Sequence, residues 1–141
     1  MFKNIFRKKN EKNLGVENLL VTALLVHAAK IDENYTEVEK KIIRRALCDL
    51  SKLPDEKVGK ILDLAEKKEQ DSNQILEFTK EIKKNNMEFR IKIIELLWKI
   101  IYSDGIADQY ETNLIRRVCG LLYISQKDNG EIKIKVQNFI K

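Results

Sequence analysis

The sequence lacks most of the residues on which several common folds and sites depend. Of its 141 residues only one is proline, five are glycine, two are cysteine and one is histidine. An all-β fold needs many tight turns, which proline and glycine usually supply, so their shortage disfavours that class. Two cysteines form neither a disulfide framework nor a four-thiolate zinc site, and one histidine argues against a histidine-rich catalytic centre. The composition therefore predicts a small helical protein without a catalytic signature.

Long hydrophobic runs are also missing. No stretch of about 18 apolar residues is present to span a bilayer, and the N-terminus is too short and too charged for a secretory signal. We therefore expect a cytoplasmic protein in which Cys48 and Cys119 are reduced thiols. Because Leu47 and Val118 precede these two cysteines, we interpret both as small core residues.

The positive charge is concentrated at one end of the chain. The net charge is +5, and residues 1–13 contain five of the 27 basic residues but one of the 22 acidic ones. The remainder, residues 14–141, is close to neutral, so we expect no nucleic-acid partner. The basic tail has two interpretations. It is a solvated terminus, or its cations contact anionic lipid headgroups while Phe2, Ile5 and Phe6 enter the membrane interface.

Apolar residues recur at helical spacing along almost the whole of residues 14–141, which we interpret as one helical domain. The predicted helices cover 16–31, 36–52, a third segment that follows the break at 53–55 and ends in the charged run 66–71, then 72–82, 87–102, 108–123 and 129–140. The helix at 87–102 is apolar on most of its circumference, so we expect it to be central and buried. In the fourth helix we expect Ile75, Leu76, Thr79 and Ile82 to form the apolar stripe. In the last segment we expect Ile132, Val136, Phe139 and Ile140 to face the core. Its β-branched residues leave a strand as the competing interpretation.

An internal repeat is the most informative feature. Residues 21–51 align with 93–123 at an offset of 72, and the gap-free alignment contains eight identities. The identical pairs are Leu24/Leu96, Leu25/Leu97, Asp32/Asp104, Glu39/Glu111, Ile43/Ile115, Arg44/Arg116, Arg45/Arg117 and Leu50/Leu122. Each copy reads as a helix, an acidic loop and a second helix. The repeat predicts an all-α fold of about seven helices, with two pseudo-twofold-related hairpins and connecting and C-terminal helices that close the bundle.

The acidic loops have a purely structural explanation. Thr36 and Glu39 have the spacing of a capping box, in which each side chain bonds to the other's backbone N–H. Asp108 and Glu111 occupy the same places in the second copy. Asp104 precedes a glycine, which is typical of a turn that ends a helix.

The alternative is that the loops bind a hard divalent cation, Ca²⁺ or Mg²⁺, through oxygen ligands. The candidate ligands of the two loops are Asp32, Glu33, Asn34 and Glu39, and Asp104, Asp108 and Glu111. The spacing is not that of an EF-hand, because the twelfth position of each loop is an isoleucine. A cation site would be looser, or assembled between the two copies.

Other residues with chemical potential have mainly structural interpretations. We expect His27 to be half-buried and hydrogen-bonded to a neighbour, and Trp98 and Tyr102 to belong to the core. In each Arg-Arg pair we expect one guanidinium to pair with a loop carboxylate and the other to be solvated, because adjacent helical residues point about 100° apart. The alternative is that these arginines dock an acidic partner.

The second copy resembles the TerB-like family, which includes the tellurite-resistance protein TerB and the N-terminal region of the membrane-bound co-chaperone DjlA. The residues that carry the resemblance are ELLWKIIYSDGIADQYE at 95–111, LIRRV at 114–118 and LLYIS at 121–125. The first copy, beginning LLVHAAKID at 24–32, is similar to the same motif, with Glu33 where the family has glycine. The resemblance extends over nearly the whole chain from about residue 14.

The resemblance implies an all-α fold of about seven helices without known catalytic activity. It also implies acidic residues proposed to bind divalent cations, here Asp104 and Glu111, then Asp32 and Glu39. We therefore expect a non-enzymatic binding or scaffolding module with a protein partner, related to stress (tellurite) response. The alternative is a metal-free adaptor attached peripherally to anionic membrane through residues 1–13. A homodimer is a further alternative.

Overall fold

The computed structural model describes residues 18–31, 35–71, 75–104 and 109–140, apart from the side chains of Asp71, Asp104 and Ile140. These residues form seven α-helices and contain no strand, which confirms the all-α prediction. The helices are α1 at 18–30, α2 at Glu37–Ser51, α3 at Asp55–Asp71, α4 at Ile75–Ile82, α5 at Met87–Ile101, α6 at Gln109–Leu121 and α7 at Gln126–Ile140, with a 3₁₀ turn at Tyr102–Asp104 after α5. Within this part of the chain, no helix combines the length and the apolar character needed to cross a membrane.

Two helices, α1 and α5, lie at the centre of the bundle. The prediction that α5 is buried is confirmed, since Ile93, Leu97 and Trp98 are each at most 1% exposed. Burial of α1 is at least as complete, which the periodicity did not predict. This helix can be buried over most of its surface because its residues are mostly Ala, Val and Leu, and because the hydroxyl of Thr22 donates to the Asn18 carbonyl at 2.6 Å.

Some equivalent positions of the repeat have equivalent burial, whereas Leu50 is half-buried and its counterpart Leu122 is fully buried. Ile43 and Ile115 are both fully buried, and α2 and α6 both pack against α5. Residues of α1, α2, α5 and α6 belong to one continuous hydrophobic cluster. The repeat therefore contributes one shared core, and the pseudo-twofold axis stays a prediction.

Helix α7 runs beside α5 in the same direction. Trp98 Nε1 donates to Asn129 Oδ1 at 2.9 Å, and Gln137 Nε2 donates to the Tyr102 hydroxyl at 2.8 Å. Trp98 and Tyr102 stack with their ring centres 5.6 Å apart, and both are buried as predicted. Helix α7 begins three residues earlier than predicted, because the Ser125 hydroxyl accepts from the backbone N–H of Asp128 at 3.1 Å.

Three predicted core positions are wrong. Phe139 is 82% exposed, because the buried stripe of α7 ends at Val136 and the side chain lies beyond it, near the end of α5. Leu76 of α4 is 54% exposed, since Phe78 takes its place in the helical stripe. Cys48 is half-buried, whereas Cys119 is fully buried as predicted.

Candidate functional site

The first acidic loop is described from Tyr35 onward, so Asp32, Glu33 and Asn34 lie outside the described residues. Glu39 is 6% exposed and its backbone N–H donates to the Thr36 hydroxyl at 3.1 Å. In return, Glu39 Oε1 accepts from the Thr36 backbone N–H at 2.9 Å and from its hydroxyl at 3.0 Å. The predicted capping box is therefore confirmed, and it fixes the start of α2.

In the second loop, Asp108 and the side chain of Asp104 lie outside the described residues. Their roles as cap, turn residue or ligand stay predictions. Glu111 lies in the first turn of α6 and is 4% exposed. The two repeat-related glutamates are therefore alike in two respects. Each is buried, and each lies in the first turn of the second helix of its hairpin.

The described residues alone do not make up a metal site. Among them, no group of three His, Cys, Asp or Glu side chains is placed to hold a metal ion. Glu39 and Glu111 offer the hard carboxylate oxygens that Ca²⁺ and Mg²⁺ require, but Glu39 already uses one oxygen in the capping box. A cation site would need ligands from Asp32, Asp104 and Asp108, so the predicted ligand set stays a prediction.

Negative charge is concentrated beside Glu39. Burial raises the pKa of Tyr35, and the nearby carboxylates of Glu66 and Glu39 raise it further. Two ammonium groups offset this charge, with Lys40 Nζ 4.9 Å and Lys30 Nζ 5.8 Å from the centre of the Tyr35 ring. The aromatic ring therefore lies close to two cations, while its buried hydroxyl lies near carboxylates.

The histidine is a structural connection between α1 and α3. His27 Nδ1 lies 3.2 Å from Glu69 Oε1, and Lys30 Nζ donates to Glu69 Oε2 at 3.0 Å. The side chains of His27 and Glu69 are 28% and 12% exposed, which confirms the prediction of a half-buried, hydrogen-bonded histidine.

An open groove lies where α2 meets the carboxyl ends of α5 and α7, and we call it the α2–α5–α7 groove. Its floor is formed by Ile42 and Ala46 from α2, by Leu96 from α5 and by Tyr102 from the 3₁₀ turn that follows α5. The exposed ring of Phe139 from α7 forms one wall, and the volume of the open groove is about 430 Å³. The groove is therefore mainly apolar at its base and is open to solvent.

Charged side chains surround this apolar floor. Arg45, Lys99 and Asp49 line the groove. Lys41 lines a smaller neighbouring depression that also contacts Arg45 on α2. Lys99 Nζ lies 5.6 Å from the centre of the Phe139 ring. The rim therefore combines three cations with one anion.

In the first Arg-Arg pair one arginine is paired and the other exposed, but the carboxylate is Asp55 at the start of α3 and not the predicted loop carboxylate. Arg44 Nη2 donates to Asp55 Oδ2 at 3.2 Å at the start of α3, whereas Arg45 is exposed and lines the groove. In the second copy both Arg116 and Arg117 are exposed. Docking of an acidic partner was the alternative interpretation for these arginines, and Arg45 is the one that lines the groove.

The rest of the groove was missed. Lys99 carries no sequence signal, because a lysine at the end of an amphipathic helix is ordinary. Phe139 was assigned to the core, since periodicity gives the face of a helix but not the point at which its neighbour ends.

Comparison with known families identifies the family of the chain. A family model described as tellurite resistance protein TerB matches residues 18–134. A comparison with curated proteins and one with solved structures each returned no significant match. The matched range begins with α1, contains both copies of the repeat and reaches most of the way along α7. The chain belongs to the TerB family.

Proposed function

We propose that the chain is a non-enzymatic TerB-family binding or scaffolding module that holds a protein partner in the α2–α5–α7 groove. The observation that carries this proposal is the open apolar floor beside Phe139, whose side chain is 82% exposed. Apolar surface that is exposed and rimmed by polar residues is typical of interaction sites, and aromatic anchors contribute much of the binding energy there.

The environments of two reactive residues support a non-enzymatic role. Burial raises the pKa of Cys119 to about 12, so this thiol is neutral at physiological pH and is a poor nucleophile. His27 is engaged with Glu69 on the α1–α3 contact and does not line the groove. These residues contribute to the fold, and the groove is left as the surface for binding.

Affinity recovery from the native host tests the proposal. The bait proteins are the wild type, the groove variant Arg45→Glu/Phe139→Ala and the control Arg117→Glu/Tyr110→Ala. The control makes the same charge reversal at the repeat-equivalent arginine and removes another exposed aromatic ring, since Tyr110 is 73% exposed. We expect the wild type and the control to recover a common partner that the groove variant loses.

Host cells grown with and without tellurite provide the two lysates, because the family name connects its members with tellurite resistance. All four substitutions replace exposed side chains, so unfolding free energies should stay within about 0.5 kcal/mol of the wild type. Recovery of the same proteins by the groove variant and the wild type would contradict the proposal.

A divalent-cation site at the acidic loops is the second candidate function. It is supported by the matched burial of Glu39 and Glu111 at the start of α2 and α6. Calorimetric titration of Ca²⁺, Mg²⁺ and Zn²⁺ tests it. We expect saturable heat with the wild type and none with Asp104→Asn/Glu111→Gln. The control is Glu37→Gln, whose side chain is 84% exposed. Absence of heat with the wild type ends the hypothesis.

Peripheral attachment to anionic membrane is a separate proposal that depends on the charge of residues 1–13. Each basic residue near an anionic surface contributes about 1 kcal/mol, so adsorption would be reversible. Co-sedimentation with anionic vesicles that contain phosphatidylserine tests this proposal, and vesicles of phosphatidylcholine alone are the control. We expect pelleting of the full chain only with the anionic vesicles, and its loss in Lys8→Gln/Lys9→Gln. Equal pelleting of both proteins removes the idea.

A further inference from the structure

We propose that the α2–α5–α7 groove binds an acidic amphipathic helix of the partner protein. The apolar side chains of that helix would cover the groove floor, and its Asp and Glu residues would pair with the cations of the rim. This inference rests on the proposed function, because it names the chemistry of the partner that the groove receives.

The shape of the groove favours a helical partner. Its floor is formed by helix surfaces, and the described part of the chain has no strand whose edge an extended peptide could join. Without such backbone pairing, side chains must provide the contact. A helix presents apolar side chains at positions i, i+3, i+4 and i+7 along one face, and such a face fits an apolar groove. The volume of about 430 Å³ leaves room for several such side chains.

The charges of the rim favour an acidic partner. Three cations line this face, and Lys135 adds a fourth beside Lys99. They stand against two carboxylates, Asp49 and Glu95, which leaves an excess of two positive charges. The carboxyl ends of α5 and α7 lie at the groove, and each contributes about half a negative charge. Even with both helix ends counted, the groove keeps a positive excess, whereas residues 14–141 as a whole are nearly neutral.

The cation nearest to Phe139 can be recruited without leaving a carboxylate unpaired. Lys99 Nζ lies 3.5 Å from Glu95 Oε1, and Lys135 Nζ lies 3.6 Å from the other oxygen of the same carboxylate. If Lys99 turns toward an incoming Asp or Glu, Glu95 retains Lys135. Exchange of this partly exposed ion pair for another at the groove surface has a small energetic cost.

Two other occupants fit the charge less well. The segment 1–13 of this chain has five basic residues and one acidic residue, so it would meet cations with cations. A second copy bound about a twofold axis would place the same cationic face opposite itself. Lys41, Arg45 and Lys99 would then repel their symmetry mates. An acidic segment from a different protein avoids both conflicts.

A random library of 16-residue displayed peptides, selected against the full chain, tests the inference. We expect enriched sequences that are net acidic and have apolar residues at i, i+3, i+4 and i+7. A synthetic copy of the most enriched peptide should bind in fluorescence anisotropy. Its Kd should rise at least about tenfold with Arg45→Glu/Phe139→Ala and less than twofold with Arg117→Glu/Tyr110→Ala. Increasing the NaCl concentration from 50 to 500 mM should weaken binding, because the rim charges are exposed.

The outcomes separate this inference from the proposed function. Enriched peptides that depend on the groove but are basic, neutral or without helical spacing would overturn the acidic-helix inference alone. No enrichment, or binding unaffected by the groove variant, would overturn the acidic-helix inference, while the affinity recovery described above decides the proposed function separately. A dimer seen in sedimentation velocity and lost in the groove variant would assign the groove to a second copy. Displacement of the selected peptide by a synthetic 1–13 segment would assign it to the tail.

Discussion

The start of α2 depends on two side chains that bond to each other's backbone. Thr36→Ala removes the hydroxyl that accepts the Glu39 backbone N–H at 3.1 Å, and it leaves this donor at the helix end without that acceptor. We expect the free energy of unfolding to fall by about 1 kcal/mol in urea titration. Thr36→Asn is the matched control, because Asn caps helices about as well as Thr. Equal loss in both variants would mean that the hydroxyl is not the capping group.

The buried thiol of Cys119 predicts how stability depends on pH. Burial raises the pKa of this thiol from 9.0 to about 12 in the folded protein. Between these values the unfolded chain has released the proton and the folded chain retains it, so increasing pH favours unfolding. We expect the stability advantage of the wild type over Cys119→Ala to shrink above about pH 9, by up to about 1.4 kcal/mol per pH unit.

Urea titrations of both proteins at pH 7, 9, 10 and 11 measure this advantage. Every other titrating group is shared by the two proteins, so their difference isolates the thiol of residue 119. A difference that stays constant from pH 7 to pH 11 would show that this thiol ionises in the folded protein as it does in the unfolded chain.

At the scale of elements, two hydrogen bonds of unequal burial join α7 to α5 and to the 3₁₀ turn that follows it. Asn129→Ala leaves the indole N–H of Trp98 buried without its acceptor, since Trp98 is 1% exposed. We expect a loss of about 1–3 kcal/mol in the free energy of unfolding. Gln137→Ala removes the other bond, but Gln137 is only half-buried, so water can replace it at the Tyr102 hydroxyl. The expected loss there is below about 1 kcal/mol.

Urea unfolding followed by tryptophan fluorescence compares the two variants. The ranking is the critical result, because both substitutions are on the same helix and both remove a side chain that bonds to an aromatic residue of the neighbouring segment. A larger loss for Gln137→Ala than for Asn129→Ala would contradict the assignment of the buried bond as the stronger connection.

Local patterns predicted the elements well, and contacts between distant elements limited the rest. The capping box at Thr36 was predicted because its partners are three residues apart, and the helices were predicted because each carries its own apolar stripe. The exposure of Phe139 was not, since it depends on where α5 ends. The groove combines residues that are up to 97 positions apart in the sequence, from Ile42 to Phe139, and no local pattern reports such a combination.

The candidate cation site has the opposite character. Its residues were selected from a local repeat, and Glu39 and Glu111 are indeed placed alike. The same spacing also suits a helix cap, and the capping box accounts for Glu39. Sequence pattern alone cannot separate these two uses of a carboxylate, because a Glu in the first turn of a helix can serve in either.

At the scale of the whole molecule, the two copies of the repeat share one hydrophobic cluster. Neither hairpin has a separate core, because residues of α1, α2, α5 and α6 all contribute to that cluster. A domain of this size with one core is expected to unfold in a single cooperative transition. The only tryptophan, Trp98, lies on α5 and therefore reports on the second copy, whereas far-UV circular dichroism reports on all helices.

A pair of core substitutions tests whether the copies unfold together. Ile43→Ala in the first copy and Ile115→Ala in the second each truncate a fully buried side chain. Each should lower the free energy of unfolding by about 2–5 kcal/mol. In each variant, we expect the transition followed by Trp98 fluorescence and the transition followed by circular dichroism to shift by the same amount. Leu64→Ala, at a position 55% exposed, should shift neither by more than about 0.5 kcal/mol. If Ile43→Ala left the Trp98 transition in place, the first copy would unfold separately, and the shared core would not couple the two hairpins.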